Sequence, residues 1–327
     1  MAKPRLESLD ATKGLAIILV VLGHLVARQS PSGCEWYEPV RAVIYSFHMP
    51  LFIFLCGIIQ SYTQSPIQSL GDYVGFLKKK TSRLAPAWVL FATIIFAGKY
   101  LASFVTTVDN GVTGLSDYFT VFIKPKASFS AYLWFIYVLY VYYLLTPLAY
   151  YITRRRIEWL LPVGVGLLLM DVSSPLFAAH SLATYALYYL IGLWCGDHVD
   201  FFQKAVSKVG ALTLIVFAGL IAYVGPFDHS MVVMGLLSIP ALIWVVGFAK
   251  GQLKEALMML GQYSFVIYLM NTILIGVVKG VFLKVVSWDN AGFLIMLPAL
   301  IWGGVYAPVM IKNHIINRIP YLRKVIA

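Results

Sequence analysis

The sequence predicts an all-α protein: a polytopic membrane bundle of about ten transmembrane helices, with the N and C termini in the cytoplasm. Three observations carry this. The 327 residues are 60% hydrophobic and only 12% charged, about half the charged share of a soluble domain. Mean hydropathy is +0.81, because the apolar residues fall in blocks of nearly 20, enough to cross about 30 Å of hydrocarbon. Basic residues gather in short clusters between alternate blocks, the pattern of cytoplasmic connections.

The blocks lie near 12–29, 43–62, 84–105, 132–151, 157–172, 182–197, 209–225, 231–249, 258–280 and 291–311. One orientation collects Lys3, Arg5 and Lys13, then Lys78, Lys79, Lys80 and Arg83, then Arg154, Arg155 and Arg156 on the inner side. Lys204, Lys208, Lys250, Lys254, Lys312, Arg318, Arg323 and Lys324 join them, most of the 25 basic residues. The net charge of +11 therefore reads as a topology signal and as contact with anionic membrane lipids. No basic domain is present, so no nucleic acid is expected as a partner.

Cys34, Cys56 and Cys195 lack paired or metal-like spacing, so neither a disulfide framework nor a metal site is expected. Asp10 and Lys13 precede the first apolar run and no small-residue cleavage site follows it, which reads as a retained first helix. The longest outer segment, near 106–131, begins with the turn Asp109-Asn110-Gly111. Residues 1–327 are read as a single membrane-embedded domain. The absence of an evident repeat or of paired broken helices weighs against a transporter.

Ionisable groups inside spanning segments are candidates for function. In LDATKGLAIILVVLGHL, Lys13 and His24 differ by about 1100°, three turns plus roughly 20°, so they share one helix face about 16 Å apart. Lys13 fits a snorkelling boundary residue or the inner end of a functional face. His24, deep in an apolar run, fits an interhelical hydrogen bond or a general base. In YSFHMPLFIFLCG, His48 is expected near the outer end of the second helix, whose first turn would hold Pro50. It could cap that helix or shape an acceptor site.

The segment LKKKTSRLAPAWV is read as a cytoplasmic loop ending at Pro86, where the third helix would begin. Its Lys79, Lys80 and Arg83 bind headgroups or, alternatively, the phosphates of a nucleotide. Trp134 in YLWFIYVLY fits an interfacial belt or an acceptor site. Ser264 and Asn271 in LGQYSFVIYLMN fit interhelical hydrogen bonds, with Asn271 also a candidate for acceptor binding. Asp197, His198 and Asp200 are read as a solvated inner loop.

In order and spacing, SLDATKGLAIILVVLGH, FHMPLFIFLCG, KKKTSRLAP, LWFIYVLY, YYLIGLWCG and LGQYSFVIYL resemble the acyltransferase 3 family of integral membrane acyltransferases. The likeness runs over about 270 residues. Three positions depart from the family pattern: Lys13 stands where arginine is common, Lys80 with Arg83 where two arginines are typical, and Asn271 where a histidine often closes the last motif. No proton-transfer role is therefore assigned to Asn271. The FHMPLF form resembles the branch that acetylates sugars such as fucose or exopolysaccharide units, without the hydrolase-like domain of peptidoglycan-modifying members.

The resemblance implies an O-acetyltransferase of a bacterial inner membrane. It would use acetyl-CoA, or another acyl-CoA, as donor co-substrate, and a carbohydrate or lipid-linked glycan as acceptor. Lys79, Lys80, Arg83 and Lys13 would hold the coenzyme A phosphates, His24 would be the general base, and His48 would orient the acceptor or donate to the oxyanion. Direct transfer and an acetyl-histidine intermediate both stay open. The competing class is a sugar or lipid-linked glycan transporter.

Overall fold

A computed structural model describes residues 6–26, 30–64, 67–104, 108, 110–223 and 230–326. Lys3, Arg5 and Asp109 lie outside them. The helices in chain order are α1 (Glu7–His24), α2 (Tyr37–Thr63), α3 (Leu70–Ala102), the single turn α4 (Thr120–Ile123), α5 (Trp134–Ile152), α6 (Leu161–Leu169) and α7 (Ala179–Asp197). They continue as α8 (Val199–Tyr223), α9 (Ser230–Val246), α10 (Gly251–Phe282), α11 (Asn290–Ile301), α12 (Ala307–His314) and α13 (Pro320–Val325). Among the described residues the only extended pairing is an isolated bridge between Ser32 and Asp289.

Every apolar block of the sequence carries a helix, and the chain is an all-α, multi-pass membrane protein. Among the described residues, 7 helical segments are long and apolar enough to cross a membrane. The three other blocks fall short of that measure for local reasons. Glu7, Asp10 and Lys13 occupy the first turns of α1 and shorten its apolar run, while Ile157–Leu169 and Val232–Val246 are apolar but shorter.

Among the helices that start earlier than the apolar blocks suggest, two change where candidate residues lie. α3 begins at Leu70, so Lys79, Lys80 and Arg83 lie on a continuous helix and not in a loop, and Pro86 is internal. The cause is a capping box. Ser69 Oγ accepts from the Asp72 amide at 3.1 Å and Asp72 Oδ2 accepts from the Ser69 amide at 3.0 Å, an arrangement that contributes about 1 kcal/mol. α2 begins at Tyr37, which moves His48 and Pro50 from its first turn to its interior. Pro50 leaves the Ser46 carbonyl without its i+4 donor. Finally, only His198 separates α7 from α8, so Asp197 and Asp200 belong to helix ends.

The chain forms two compact units, Met1–Leu55 with Asp197–Arg318, and Cys56–Gly196 with Ile319–Ala327. In the first, α1 and α10 lie backbone to backbone. A Cβ on Gly14 would stand 1.9 Å from the Leu257 carbonyl oxygen, and one on Gly261 2.0 Å from that of Asp10. Small residues permit this approach where the bilayer provides no hydrophobic drive between helices. At the amino ends, Lys254 Nζ lies 2.6 Å from Glu7 Oε2, so the two helices run parallel. Gly303 and Gly304 lie in a π turn, Trp302–Tyr306, between α11 and α12. A Cβ on Gly304 would stand 2.6 Å from Val21 Cγ1 and 3.0 Å from Ile275 Cδ1. Phe47, Phe217 and Met234 form a further buried cluster of this unit.

The second unit is held by the same device. A Cβ on Gly57 would meet the Tyr189 carbonyl oxygen at 2.5 Å, and one on Gly196 that of Ile58 at 2.5 Å. Tyr142 and Tyr189 stack with ring centroids 4.7 Å apart. The Tyr189 hydroxyl pairs with Thr146 Oγ1 at 2.7 Å.

Candidate active site

His24 occupies the last turn of α1, half-buried. Its Nδ1 lies 2.7 Å from the Val20 carbonyl oxygen. A carbonyl only accepts, so Nδ1 carries the proton and the neutral ring keeps its lone pair on Nε2. His48 repeats the arrangement on α2, with Nδ1 2.7 Å from the Ile44 carbonyl oxygen and the side chain buried.

Tyr45 joins the two histidines. Its ring centroid is 6.2 Å from that of His24, edge-on, and 5.1 Å from that of His48. Its hydroxyl donates to the Gly23 carbonyl at 2.8 Å, and the Tyr37 hydroxyl donates to that of Leu22. Both carbonyls belong to the last turn of α1, which has no intrahelical donors left to offer them. Two α2 tyrosines thus complete the end of α1 and fix the turn that carries His24. Ahead of Tyr45, Arg41 pairs with Glu38 at 2.7 Å and sets its guanidinium 6.0 Å from the Tyr45 ring centroid.

Asn271 enters the same unit from α10. The register that pairs Glu7 with Lys254, an offset of 247, sets Asn271 abreast of His24. Asn271 is 1% exposed. Its Nδ2 donates to the Ile267 and Tyr268 carbonyls at 2.9 and 2.8 Å, while its buried Oδ1 has no hydrogen-bond partner among the described residues. Lys13 is half-buried near the other end of α1, on the same helix as His24.

In the second unit, Lys79 and Arg83 are exposed on α3, four residues apart and so on one face. Lys80 is half-buried; it donates to Gln60 Oε1 and its ammonium lies 3.9 Å from the Tyr143 ring centroid. Trp134 opens α5 and stacks on Tyr185 with centroids 5.2 Å apart. The Lys126 ammonium lies 5.5 Å from the Trp134 centroid, and burial holds that amine below the usual lysine range.

The structure thus gathers His24, His48 and Asn271 in one unit, and Lys79, Lys80, Arg83 and Trp134 in the other. Tyr45, Gln60 and Lys126 were not singled out by sequence. Tyr45 carried a signal, its i,i+3 spacing to His48 on a helix. Gln60 carried another, an amide within the apolar run FLCGIIQS. Lys126 carried none, because irregular backbone brings it to Trp134.

A family model described as an acyltransferase domain matches residues 6–312. The chain belongs to the acyltransferase 3 family. The match runs from the residue before α1 into α12 and so includes both histidines, the α3 cations, Trp134 and Asn271. It bears out the resemblance carried by the motifs. The chain is 31% identical to nodulation protein NolL of Mesorhizobium japonicum over 113 residues, 33% of this chain and 30% of that protein. It is 31% identical to NolL of Sinorhizobium fredii over 145 residues, 42% of this chain and 35% of that protein. The chain spans about a third of the length of these curated relatives. No solved structure matches it.

Proposed function

We propose that this protein is a membrane O-acetyltransferase of a bacterial inner membrane. It takes acetyl from cytoplasmic acetyl-CoA and passes it to a hydroxyl of a carbohydrate, a cell-surface or exopolysaccharide unit or a lipid-linked glycan. The observation that carries the reading is His24, whose Nδ1 is held by the Val20 carbonyl at 2.7 Å so that Nε2 is the basic nitrogen.

In the proposed step, His24 Nε2 takes the proton of the acceptor hydroxyl as its oxygen attacks the thioester carbonyl. The C–S bond breaks, and the departing thiolate recovers the proton from the imidazolium as free thiol. His48 serves as orienter: its Nδ1–H is engaged by the Ile44 carbonyl, leaving an Nε2 acceptor suited to an acceptor hydroxyl. This role is favoured over donation to the oxyanion, which would need a proton on Nε2. Lys13, on the His24 face of α1, supports the donor in the first unit. Lys79, Lys80 and Arg83 offer cations for its phosphates in the second, Arg83 as a planar fork. Trp134 and Asn271 contribute to acceptor binding, Asn271 through its unpartnered Oδ1.

The test uses purified protein in lipid with radiolabelled acetyl-CoA and candidate glycans, comparing wild type with His24→Ala and Arg83→Ala. Label should reach a glycan in wild type and fall about 10²- to 10⁴-fold in His24→Ala, the usual worth of a general base. Full transfer by a folded His24→Ala protein would overturn the mechanism, and failure of wild type to consume acetyl-CoA would favour a transporter.

A further inference from the structure

The α5–α6 turn borders a cavity of about 650 Å³ in the second unit that the catalytic reading does not use. Its lining includes Leu70, Tyr73, Leu148 and Gln64 together with Arg154 and Arg155. The volume falls within the range of small-molecule sites, about 300–1,000 Å³.

The two arginines occupy unusual backbone. α5 ends with the Arg155 amide bonded back to the Tyr150 carbonyl at 2.8 Å and the Arg154 amide to that of Tyr151 at 3.2 Å. This closure places Arg154 at φ 50 and Arg155 at φ 66. The left-handed region suits glycine and is unfavourable for a long side chain. Strained backbone of this kind clusters at ligand clamps and active sites. Arg155 also lies 5.3 Å from the Tyr150 ring centroid, and the Tyr150 hydroxyl donates to Ser61 Oγ at 2.9 Å; both tyrosine and serine line the cavity.

The cavity is wired to the α3 cation cluster. Lys80 donates to Gln60 Oε1, and Gln60 Nε2 donates to Oε1 of Gln64, which lines the cavity. The lining therefore combines two arginines with apolar and aromatic side chains and with amide and hydroxyl groups.

We infer that this cavity binds a phosphate ester carried on a flexible chain that includes apolar stretches. Arg154 and Arg155 take the phosphate by charge-assisted hydrogen bonds, and Leu70, Tyr73 and Leu148 take the chain. Two sources share this chemistry: the phosphopantetheine arm of coenzyme A and an anionic phospholipid. Only the first rests on the acyltransferase reading.

The experiment places the full chain in phosphatidylcholine nanodiscs and measures binding of coenzyme A in one arm and of phosphatidylglycerol in the other. R154G/R155G removes the charge and relieves the left-handed backbone, and thermal unfolding beside wild type checks its fold. Leu148→Trp fills the cavity, and Lys204→Gln, on α8, is the control for charge. In at least one arm R154G/R155G and Leu148→Trp should each weaken binding about tenfold, with Lys204→Gln unchanged. Loss in the coenzyme A arm identifies the donor as occupant; loss in the phosphatidylglycerol arm alone identifies a lipid. No loss in either arm, or a loss in R154G/R155G matched by Lys204→Gln, overturns the proposal. If His24-dependent transfer persists while both arms stay flat, the cavity reading alone fails; if the arms respond but no transfer occurs, the acyltransferase reading alone fails.

Discussion

Glu7 and Lys254 meet at 2.6 Å across the amino ends of α1 and α10, and the same register carries Asn271 level with His24. The ion pair is exposed and worth at most about 1 kcal/mol. The register itself rests on Gly14 and Gly261, which let the two backbones touch. What matters for chemistry is the far end, where α10 carries a buried amide oxygen that has no partner among the described residues and α1 carries a basic imidazole nitrogen.

Replacing Asn271 by Leu should separate function from stability. The side chain leaves a buried acceptor unpaired, which costs about 1–3 kcal/mol, so Asn271→Leu should unfold at the same or a higher temperature. Transfer should fall at least about tenfold, the worth of one hydrogen bond to substrate. Thermal unfolding in detergent beside a transfer assay checks both halves; unchanged transfer would remove Asn271 from the site.

Tyr45→Phe keeps the ring between the histidines and deletes the bond to the Gly23 carbonyl. Losing a single hydrogen bond of about 1 kcal/mol should reduce kcat several-fold with little change in KM. Tyr45→Ala, which also removes the ring contacts to His24 and His48, should cost considerably more. Equal kcat in all three proteins would show that Tyr45 only packs.

A side chain at Gly14 or Gly261 has no room, since its Cβ would stand about 2 Å from a carbonyl oxygen of the other helix. Gly14→Leu and Gly261→Leu should each destabilise by about 3 kcal/mol or more. Gly75→Leu, where nothing lies within 4 Å, should be tolerated. Unfolding midpoints of the three variants in the same detergent provide the comparison.

On α3, exposed Lys79 and Arg83 should act on the donor and half-buried Lys80 on the fold as well. Lys79→Ala and Arg83→Ala should raise the KM for acetyl-CoA several-fold with kcat nearly unchanged, and more so at low salt. Lys80→Ala should in addition lower thermal stability, because it removes the bond to Gln60 and the contact with Tyr143. A KM for acetyl-CoA equal to that of wild type in Lys79→Ala and Arg83→Ala at low salt would argue against phosphate binding on this face.

Much of this was legible in the sequence. Apolar block length announced the helices, and the 3.6-residue period placed Lys13 and His24 on one face of α1 before any coordinates. Helix starts were not legible from hydropathy, because α2 and α3 begin in polar segments that hydropathy reads as loop. For α3 the capping pattern Ser69-x-x-Asp72 was the available signal. For α2 the i,i+3 pairing of Glu38 with Arg41 hinted at a helix ahead of the apolar run. The level pairing of Asn271 with His24 could not be read at all, since only packing sets the register between helices so distant in sequence.

That α1 and α10 run in the same direction also constrains how the chain between them is threaded. A polypeptide that leaves α1 on one side of the bilayer and enters a parallel α10 from the other must traverse it an odd number of times in between. α2, α3, α5, α7 and α8 supply an odd number from helices of full length. With each of those five helices counted as a span, the two short apolar helices, Ile157–Leu169 and Val232–Val246, would cross as a pair or not at all. Any change that reverses one of them alone would have to reverse the other or pull Glu7 away from Lys254.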